Sequence, residues 1–321
     1  MWKPLIALAA LVVPLAAMAQ AAWPTQPVKV VIAGAAGSGT DIAARVILDA
    51  LSKKFGQPFV PDNRAGANGM IATEVVAKAP KDGYTLLFTY AAAQVVNQSL
   101  YAKVPYDGAK DFAAVAQVGA GGNVLVVPPS MPVKDLREFV AYAKAQPAGA
   151  LAYGSWGIGS GGHLSMEALN QKAGLTLRHI PYKGTGPMLT DLIGGQIQVG
   201  FSATATAIPM IQAGKLKALA YSAPTRTAIL PELKTMSEQG VPFDLVAWYG
   251  VFAPAGTPAP IVLAINQEIN RFLQAPDSAE KLKAVGLSDW PIKTPEQFAE
   301  TVRNDIRGWG EVVRKGNIQA E

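Results

Sequence analysis

Short runs of apolar, mostly β-branched residues alternate with amphipathic stretches along most of this 321-residue chain. The first run, Val28 to Ile32, is followed by apolar residues at helical spacing between Ile42 and Leu51. The same alternation returns between Val124 and Tyr221. Strands that alternate with helices favour a mostly parallel sheet with helices on both faces, so the chain is predicted to be an α/β protein.

Two extended segments have the features of strands that cross between two lobes. They are Val115 to Val126, which is interrupted by glycines, and Leu245 to Val251. A chain that leaves one lobe, builds a second and returns makes two such crossings, and the gap between the lobes becomes a ligand site. The predicted organisation is a first lobe of residues 22–122 and 249–321, a second lobe of residues 123–248, and a hinge near 119–124 and 245–250.

The N-terminus has the features of a secretory leader. Lys3 supplies a positive charge ahead of the apolar stretch Leu5 to Ala17, which is too short to cross a bilayer. Small residues suited to cleavage follow, so residues 1–21 are predicted to be a signal peptide cut after Ala19 or Ala21. The protein is therefore expected in the periplasm.

The composition excludes several functional classes. The chain has no cysteine and only two histidines, which rules out thiolate zinc sites, iron–sulfur clusters, disulfides and cysteine nucleophiles. Its net charge of +5 is scattered, with no basic run interleaved with aromatic residues. We therefore expect no cofactor, no metal and no nucleic-acid partner.

Four turns rich in glycine and hydroxyl residues follow predicted strands. They are Gly34–Asp41, Tyr153–His163, Pro181–Pro187 and Ser202–Thr206. Small residues let main-chain amides approach a ligand, and the helix start after such a turn favours an anion. Turns that follow parallel strands meet at one edge of a sheet, which predicts a site for an acidic ligand. Thr40 or Asp41 is expected to cap the first helix.

Two hypotheses of an enzymatic function compete with the hypothesis of a binding protein. Gly157, Gly159 and Gly162 match the spacing of a dinucleotide site, but the acidic residue that such a site needs after the next strand is absent. A secreted hydrolase that uses Ser155 remains an alternative, with His163 or His179 as the base. Ser155 lacks the first glycine of a nucleophile elbow, His163 lies where helix capping is expected, and His179 lies inside a strand.

Motifs distributed over nearly the whole chain after the leader point to one family. They are Asp62–Gly69, Asp82–Leu87, Gly157–Ser160 with His163 and Leu164, His179–Pro187, Asp191–Gly195, Ala213–Ala218 and Trp248–Pro258. In this order they resemble the substrate-binding component of tripartite tricarboxylate transporters, the Bug family of extracytoplasmic receptors.

The resemblance implies a type II periplasmic-binding-protein fold, in which two α/β lobes joined by a two-strand hinge close on a ligand. It implies a receptor and not an enzyme, acting as a monomer that delivers its ligand to the membrane subunits of a transporter. The implied ligand is a small carboxylate, such as a di- or tricarboxylate, an aromatic acid or another organic acid. A ligand sensor for a signalling receptor would share all of these features.

Carried onto this sequence, the resemblance and the four turns give a set of expected ligand-binding residues from both lobes. They are Gly37, Ser38, Gly39, Thr40, Asp41, Tyr90, Ser155, Gly159, Ser160, His163, Tyr182, Lys183, Ser202 and Thr204.

The sequence departs from the family pattern at two places. Gly34 stands where an aromatic ring is common, and Ser202-Ala203 replaces a common Asp-Asn pair. The first change is expected to open space, and the second removes a partner for an ammonium group. These departures favour a bulkier acid, for example an aromatic one, over a free amino acid.

Overall fold

The computed structural model describes residues 23–319 except 228, 244–246, 285–286 and 288–289. The predicted signal peptide lies outside the described residues, as does part of the second crossing. The described chain forms two five-stranded sheets. The strands are β1 (Val28–Ile32), β2 (Phe59–Asn63), β3 (Thr85–Tyr90), β4 (Phe112–Gly121), β5 (Asn123–Val127), β6 (Ala152–Ser155), β7 (Arg178–Pro181), β8 (Val199–Ala203), β9 (Lys217–Tyr221) and β10 (Ala247–Pro254).

The first sheet has the order β2-β1-β3-β10-β4 and the second the order β7-β6-β8-β5-β9. In the first sheet β1 is parallel to β2 and β3, whereas β10 is antiparallel to both of its neighbours. In the second sheet β6 is parallel to β7 and β8, and β5 is antiparallel to β8 and β9. Four strands of each sheet therefore run one way and one runs against them, as a mostly parallel sheet requires.

Helices cover both faces of each sheet, which confirms the α/β prediction. They are α1 (Gly39–Phe55), α2 (Met70–Ala77), α3 (Asn97–Leu100), α4 (Leu136–Lys144), α5 (Gly161–Ala173), α6 (Thr185–Ile193), α7 (Thr204–Gln212), α8 (Ala259–Gln274), α9 (Pro276–Ala284) and α10 (Pro295–Lys315). A π-helical turn at Ala92–Val96 and two short 3-10 turns, Ala67–Gly69 and Ser237–Gln239, complete the described elements.

The first helix begins at Gly39, two or three residues earlier than predicted. Ser38 has extended backbone angles, and its hydroxyl accepts a hydrogen bond from the N–H of Asp41. Thr40 and Asp41 already lie inside the helix, so the prediction that one of them is the cap is wrong.

The chain passes between the sheets at Gly122, the single residue that separates β4 from β5. Its N–H donates to the hydroxyl of Tyr221 (2.7 Å), and its carbonyl accepts from the hydroxyl of Thr204 (3.2 Å). The sheets thus define two lobes, the first built on β1–β4 with β10 and the second on β5–β9. The limits of each lobe at the level of single residues stay a prediction.

The C-terminal helices return to the first lobe, where α8 packs against one face of its sheet and α10 against the other. One hydrophobic core continues from α10 to α5 of the second lobe and includes Trp309 and Leu169. The Gln171 amide donates to the carbonyl of Val312 across this contact (3.0 Å). The lobes are therefore in contact beside the hinge.

Helix α10 depends on a capping box at its start, so substitution of Thr294 should destabilise the protein. The Thr294 hydroxyl accepts from the N–H of Gln297, and the Gln297 side chain accepts from the N–H of Thr294. Thr294→Ala removes the first of these bonds and is expected to lower the free energy of unfolding by about 1 kcal/mol in urea titrations. Thr190→Ala is the control, because the exposed Thr190 hydroxyl bonds only to its own helix. Equal effects of the two substitutions would contradict the role of the cap.

Candidate ligand-binding site

The 34–41 turn joins β1 to α1 and shapes the first candidate anion site. Gly37 has a φ of 78°, a left-handed conformation that favours glycine, and its N–H donates to the Asp41 carboxylate (2.8 Å). Ser38 caps the helix. The N–H groups of Gly39 and Thr40 open the helix and have no carbonyl of that helix to bind. These two amides are the donors that the turn offers to a ligand.

Asp41 supports the turn from below. Its carboxylate is buried and accepts from Arg45 Nε (3.0 Å) and from the Asn63 amide (3.0 Å) as well as from Gly37. Burial tends to raise the pKa of the Asp41 carboxyl, but the hydrogen bonds from Arg45, Gly37 and Asn63 outweigh it and hold the pKa below its ordinary value. Asp41 is therefore ionised and bound within its own lobe.

The 153–163 turn repeats this arrangement in the second lobe. Gly159 has a φ of 72°, and its N–H donates to His163 Nδ1 (3.0 Å). Ser160 caps α5 through a bond from the N–H of His163 (3.3 Å). The free amides at this helix start belong to Gly161 and Gly162.

Trp156 explains why glycine is needed at this helix start. A Cβ atom on Gly162 would lie 2.4 Å from the Trp156 ring, so the ring packs directly on the backbone there. Gly159 is similarly close to the first lobe, because a Cβ atom on it would lie 2.1 Å from the Leu100 side chain. The turn thus contacts the opposite lobe through backbone that carries no side chain.

Beneath the 153–163 turn lies a stack of three rings, Tyr153, His179 and His163. The two imidazoles are nearly parallel, with centroids 3.8 Å apart. His179 Nε2 lies 2.7 Å from the Ser155 hydroxyl, which also contacts the carbonyl of Gly157. A Ser–His contact of this kind resembles a hydrolase dyad, but Ser155 is completely buried. We therefore interpret the contact between Ser155 and His179 as a structural hydrogen bond in the interior of the second lobe.

The other predicted ligand-binding residues of the second lobe lie close to the 153–163 turn or at the hinge. Tyr182 follows β7, and its N–H donates to the carbonyl of Ser155 (2.9 Å). Burial, followed by a hydrogen bond to Asp191 (2.7 Å), raises the pKa of Tyr182 to about 12. Lys183 is exposed beside it. Ser202 and Thr204 are buried close to the hinge. The Thr204 hydroxyl donates to the carbonyl of Gly122 and so supports the crossing, whereas the Ser202 hydroxyl donates to the carbonyl of Ala203 (3.4 Å).

In the first lobe, Tyr90 contacts a segment that the sequence analysis did not single out as a site. Ala67 and Asn68 both have positive φ angles between two glycines that do the same, a conformation that costs energy for residues with a Cβ atom. The Tyr90 hydroxyl donates to the Asn68 side chain (3.2 Å), and Asn68 and Asn97 exchange two hydrogen bonds. Asn68 lies within the Asp62–Gly69 motif, and this motif is the sequence signal that could have identified Asn68 as a candidate site residue.

The hinge strands connect the two turns. A Cβ atom on Gly39 would lie 3.5 Å from the Tyr249 hydroxyl, and the Thr40 side chain hydrogen-bonds to Tyr249. Tyr249 pairs with Gly119 on β4. Four residues further along the chain, the Asn123 amide lies 3.8 Å from the Cβ position of Gly161. Because four residues span at most about 14 Å, the two helix starts flank one short section of the hinge.

The expected space at Gly34 is not present. A Cβ atom on Gly34 would lie 2.8 Å from the Ser38 hydroxyl and 3.1 Å from the Thr40 Cβ. The side chains of Ser38 and Thr40 therefore fill the space next to Gly34 in which the side chain of an aromatic residue would start. The hypothesis of a bulkier ligand therefore has no support from open space next to Gly34, and the size of the ligand stays a prediction.

A separate cavity of about 280 Å³ lies on the other side of the hinge and is lined by Trp248, Arg226, Lys293 and Asp305, among others. Trp248 and Tyr249 are neighbours in β10, so their side chains leave opposite faces of the sheet. Arg226 is already bound to both oxygens of Glu238, and Asp305 accepts from the Trp248 indole. We therefore place the candidate site at the two turns and not in this cavity.

The described residues lack two features that would indicate other functions. Within residues 23–319 and outside the gaps given above, no group of three His, Cys, Asp or Glu side chains is placed to bind a metal ion. The same part of the chain contains no helix of the length and apolarity needed to cross a bilayer.

Two α/β lobes that share a hinge are the architecture of periplasmic solute-binding proteins, which close around a ligand. Residues 43–318 match the family model of the tripartite tricarboxylate transporter family receptor. The chain belongs to this family, whose members are periplasmic receptors, so it is a solute receptor and not an enzyme. The hydrolase alternative is thereby set aside.

Individual relatives are similar to this chain in sequence over nearly their full lengths. Protein BugT of Bordetella pertussis is 36% identical over 295 residues, which cover 91% of this chain and 90% of BugT. The structure of R. palustris Rpa4515 with adipate is 35% identical with a TM-score of 0.79, covering 93% of this chain and 100% of that one. MatC from Rhodopseudomonas palustris with bound malate is 34% identical with a TM-score of 0.75, covering 91% and 100%.

The buried His163 and the half-buried His179 should make the protein sensitive to mild acid. Burial and then the charge of His179 lower the pKa of His163 to about 3, and burial lowers the pKa of His179 to about 4. Well above pH 6.5 both histidines are neutral whether the chain is folded or not. Below pH 6.5 the unfolded chain binds protons that the folded protein does not, so each histidine removes up to about 1.4 kcal/mol of stability per pH unit until its folded pKa is reached.

Urea unfolding at pH 7.0, 6.0 and 5.0 measures this loss, and the chain has no other histidine to obscure it. His179→Gln should reduce the slope of stability against pH by about half, since it removes one of two similar titrations. A slope that the substitution leaves unchanged would show that other groups cause the acid sensitivity.

Proposed function

We propose that this receptor binds a small organic acid between its lobes, with the carboxylate held by main-chain amides at the starts of α1 and α5. The observation that carries the proposal is the matched geometry of the 34–41 and 153–163 turns, one in each lobe. Each turn offers two free N–H groups at a helix start, where the helix dipole favours negative charge.

Dicarboxylates are the ligands that this arrangement supports best. Two separate pairs of amides suit a molecule with an acidic group at each end, and relatives in this family have been solved with adipate and malate. Ser38 and Thr40 fill the space next to Gly34, so the structure gives no added room for the bulkier aromatic acid that the sequence favoured. Asp41 is bound by Arg45 and so is not available to a ligand ammonium group.

Lobe closure is the proposed mechanism of capture. A ligand that binds amides of both lobes has a higher affinity for the closed state and shifts the population towards it. Contact between Gly159 and Leu100 brings the second turn against the first lobe. In this proposal the protein acts as a monomer in the periplasm, after removal of a leader at Ala19 or Ala21, and delivers its ligand to the membrane subunits of a tripartite transporter.

Calorimetric titration of the protein without residues 1–21 tests the ligand class. We expect adipate or malate to bind at micromolar concentrations or below, and aspartate to bind at least about tenfold more weakly because no free acidic group meets its ammonium. Adipamide, which has the same carbon chain without charge, is the matched control and should not bind. Binding of aspartate alone, or of adipamide as tightly as adipate, would contradict the proposal.

A further inference from the structure

Asn123 is a nearly buried polar residue at the hinge. It begins β5 directly after Gly122, and only 8% of its surface is exposed. Its backbone is paired with Ser222, whose hydroxyl accepts from the N–H of Asn123 (2.7 Å) and whose N–H donates to the Asn123 carbonyl (3.0 Å). The Asn123 side chain, in contrast, forms no hydrogen bond to any residue in the described part of the chain. Because buried polar groups are nearly always paired, this amide needs an explanation.

The Asn123 amide faces the start of α5. Its Nδ2 lies 3.8 Å from the Cβ position of Gly161, the first residue of that helix. Asn123 and Leu125 share one face of β5, and Leu125 packs in the same core as Leu164 of α5. The direction of the side chain thus follows from the strand as well as from its closeness to Gly161.

The space beside the Asn123 amide is open. Both of its polar atoms remain accessible, although most of the residue is covered. Ala203 lies directly opposite Asn123 on β8, and side chains at such positions share one face of the sheet. Ala203 is exposed, and its methyl group carries no atom that bonds to the amide. A hydrogen-bond donor and an acceptor therefore stand in the cleft, next to the amides of Gly161 and Gly162.

The chemistry of an amide limits the ligand that satisfies it. In either orientation the Asn123 side chain presents one NH2 donor and one carbonyl acceptor. A carboxylate accepts from the NH2 group, but it has no hydrogen to give to the carbonyl. A carbonyl left unpaired in the closed cleft weakens binding, so a plain dicarboxylate satisfies only half of this side chain. A hydroxyl on the carbon next to the carboxylate supplies the missing donor.

We propose that Asn123 is a specificity-determining residue that selects dicarboxylates with a hydroxyl on the carbon next to one carboxylate. In this arrangement Nδ2 donates to the carboxylate at the start of α5, and Oδ1 accepts from the hydroxyl. The inference rests on the proposed function, since it requires a carboxylate between the lobes. An ammonium group in place of the hydroxyl would also donate to Oδ1, but its positive charge would lie beside two helix starts whose dipoles favour negative charge. The selection is therefore for hydroxy acids over amino acids.

Malate, succinate and methylsuccinate test the selection on the wild-type protein. They share one carbon chain with a carboxylate at each end and differ only in the group on the second carbon, which is a hydroxyl, a hydrogen or a methyl group. In calorimetric titrations malate should bind about tenfold more tightly than either of the others, because only malate donates to Oδ1. Methylsuccinate controls for size, since methyl and hydroxyl groups have similar volumes. Equal affinities of malate and methylsuccinate would overturn the proposal.

Asn123→Leu removes the amide and keeps its branched shape. In this variant the preference for malate over succinate should fall from about tenfold to about twofold or less, because neither ligand then has a partner at position 123. Asn304→Leu is the matched control and should keep the wild-type preference, since Asn304 is exposed on α10 and accepts from Arg307. A preference that survives in Asn123→Leu would show that other groups select the ligand. If Asn123→Leu does not fold, the series of three acids decides the question on the wild type alone.

Nuclear magnetic resonance locates the contact independently of the preference. The side-chain NH2 group of Asn123 gives one pair of signals, which Asn123→Asp removes while keeping the shape of the side chain. Saturation with malate should shift this pair, and an unchanged pair would overturn the proposal. Failure of the wild type to bind any of the three acids would instead contradict the proposed function, whereas binding without a preference for malate would contradict only the role of Asn123.

Discussion

Unpaired N–H groups at the starts of α1 and α5 are the feature on which the site depends. Every helix leaves its first amides without an internal partner, so an exposed helix start must be satisfied by a cap, by water or by a ligand. Here Ser38 and Ser160 satisfy one amide each, and the side chains of Asp41 and His163 hold the preceding glycines. Two amides remain in each lobe. In the proposed site these amides are the donors for an anion, and neither turn contains an Arg or a Lys.

The interior behind the turns is built to keep these donors in place. The ring stack and the Ser155–His179 bond fix the second turn, and Asn63 with Arg45 fix the first. Fixed dipoles bind an anion better than mobile ones because no energy is lost in ordering them. The hinge can then move the lobes as units, since the parts that must stay rigid are held within each lobe.

Much of the fold could be predicted from the sequence because its signals are periodic. The strand at Val28–Ile32 and the helix that contains Ile42 to Leu51 lie where the alternation and the helical spacing predicted them. The receptor family was identified from ordered motifs, and its assignment is confirmed by the family match. Ser38 replaced the expected cap because serine, threonine and aspartate all cap helices, and the turn geometry selects among them.

The finer parts of the site carry no periodic signal. The bond between His163 and Gly159 joins a side chain to a backbone amide four residues away, which spacing alone does not distinguish from a helix cap. The positive φ angles of Ala67 and Asn68 could not be read from residue type, because tertiary contacts to Tyr90 and Asn97 impose them. Gly34 suggested an open space, but neighbouring side chains of the same turn fill it.

A crystal structure of the protein with its tightest-binding dicarboxylate would show which groups hold the ligand. We predict a carboxylate oxygen within about 3.2 Å of the amide nitrogens of Gly161 and Gly162, with the other end of the ligand at Gly39 and Thr40. A ligand bound instead by side-chain cations in the cavity beside Trp248, with both helix starts facing only solvent, would contradict this prediction.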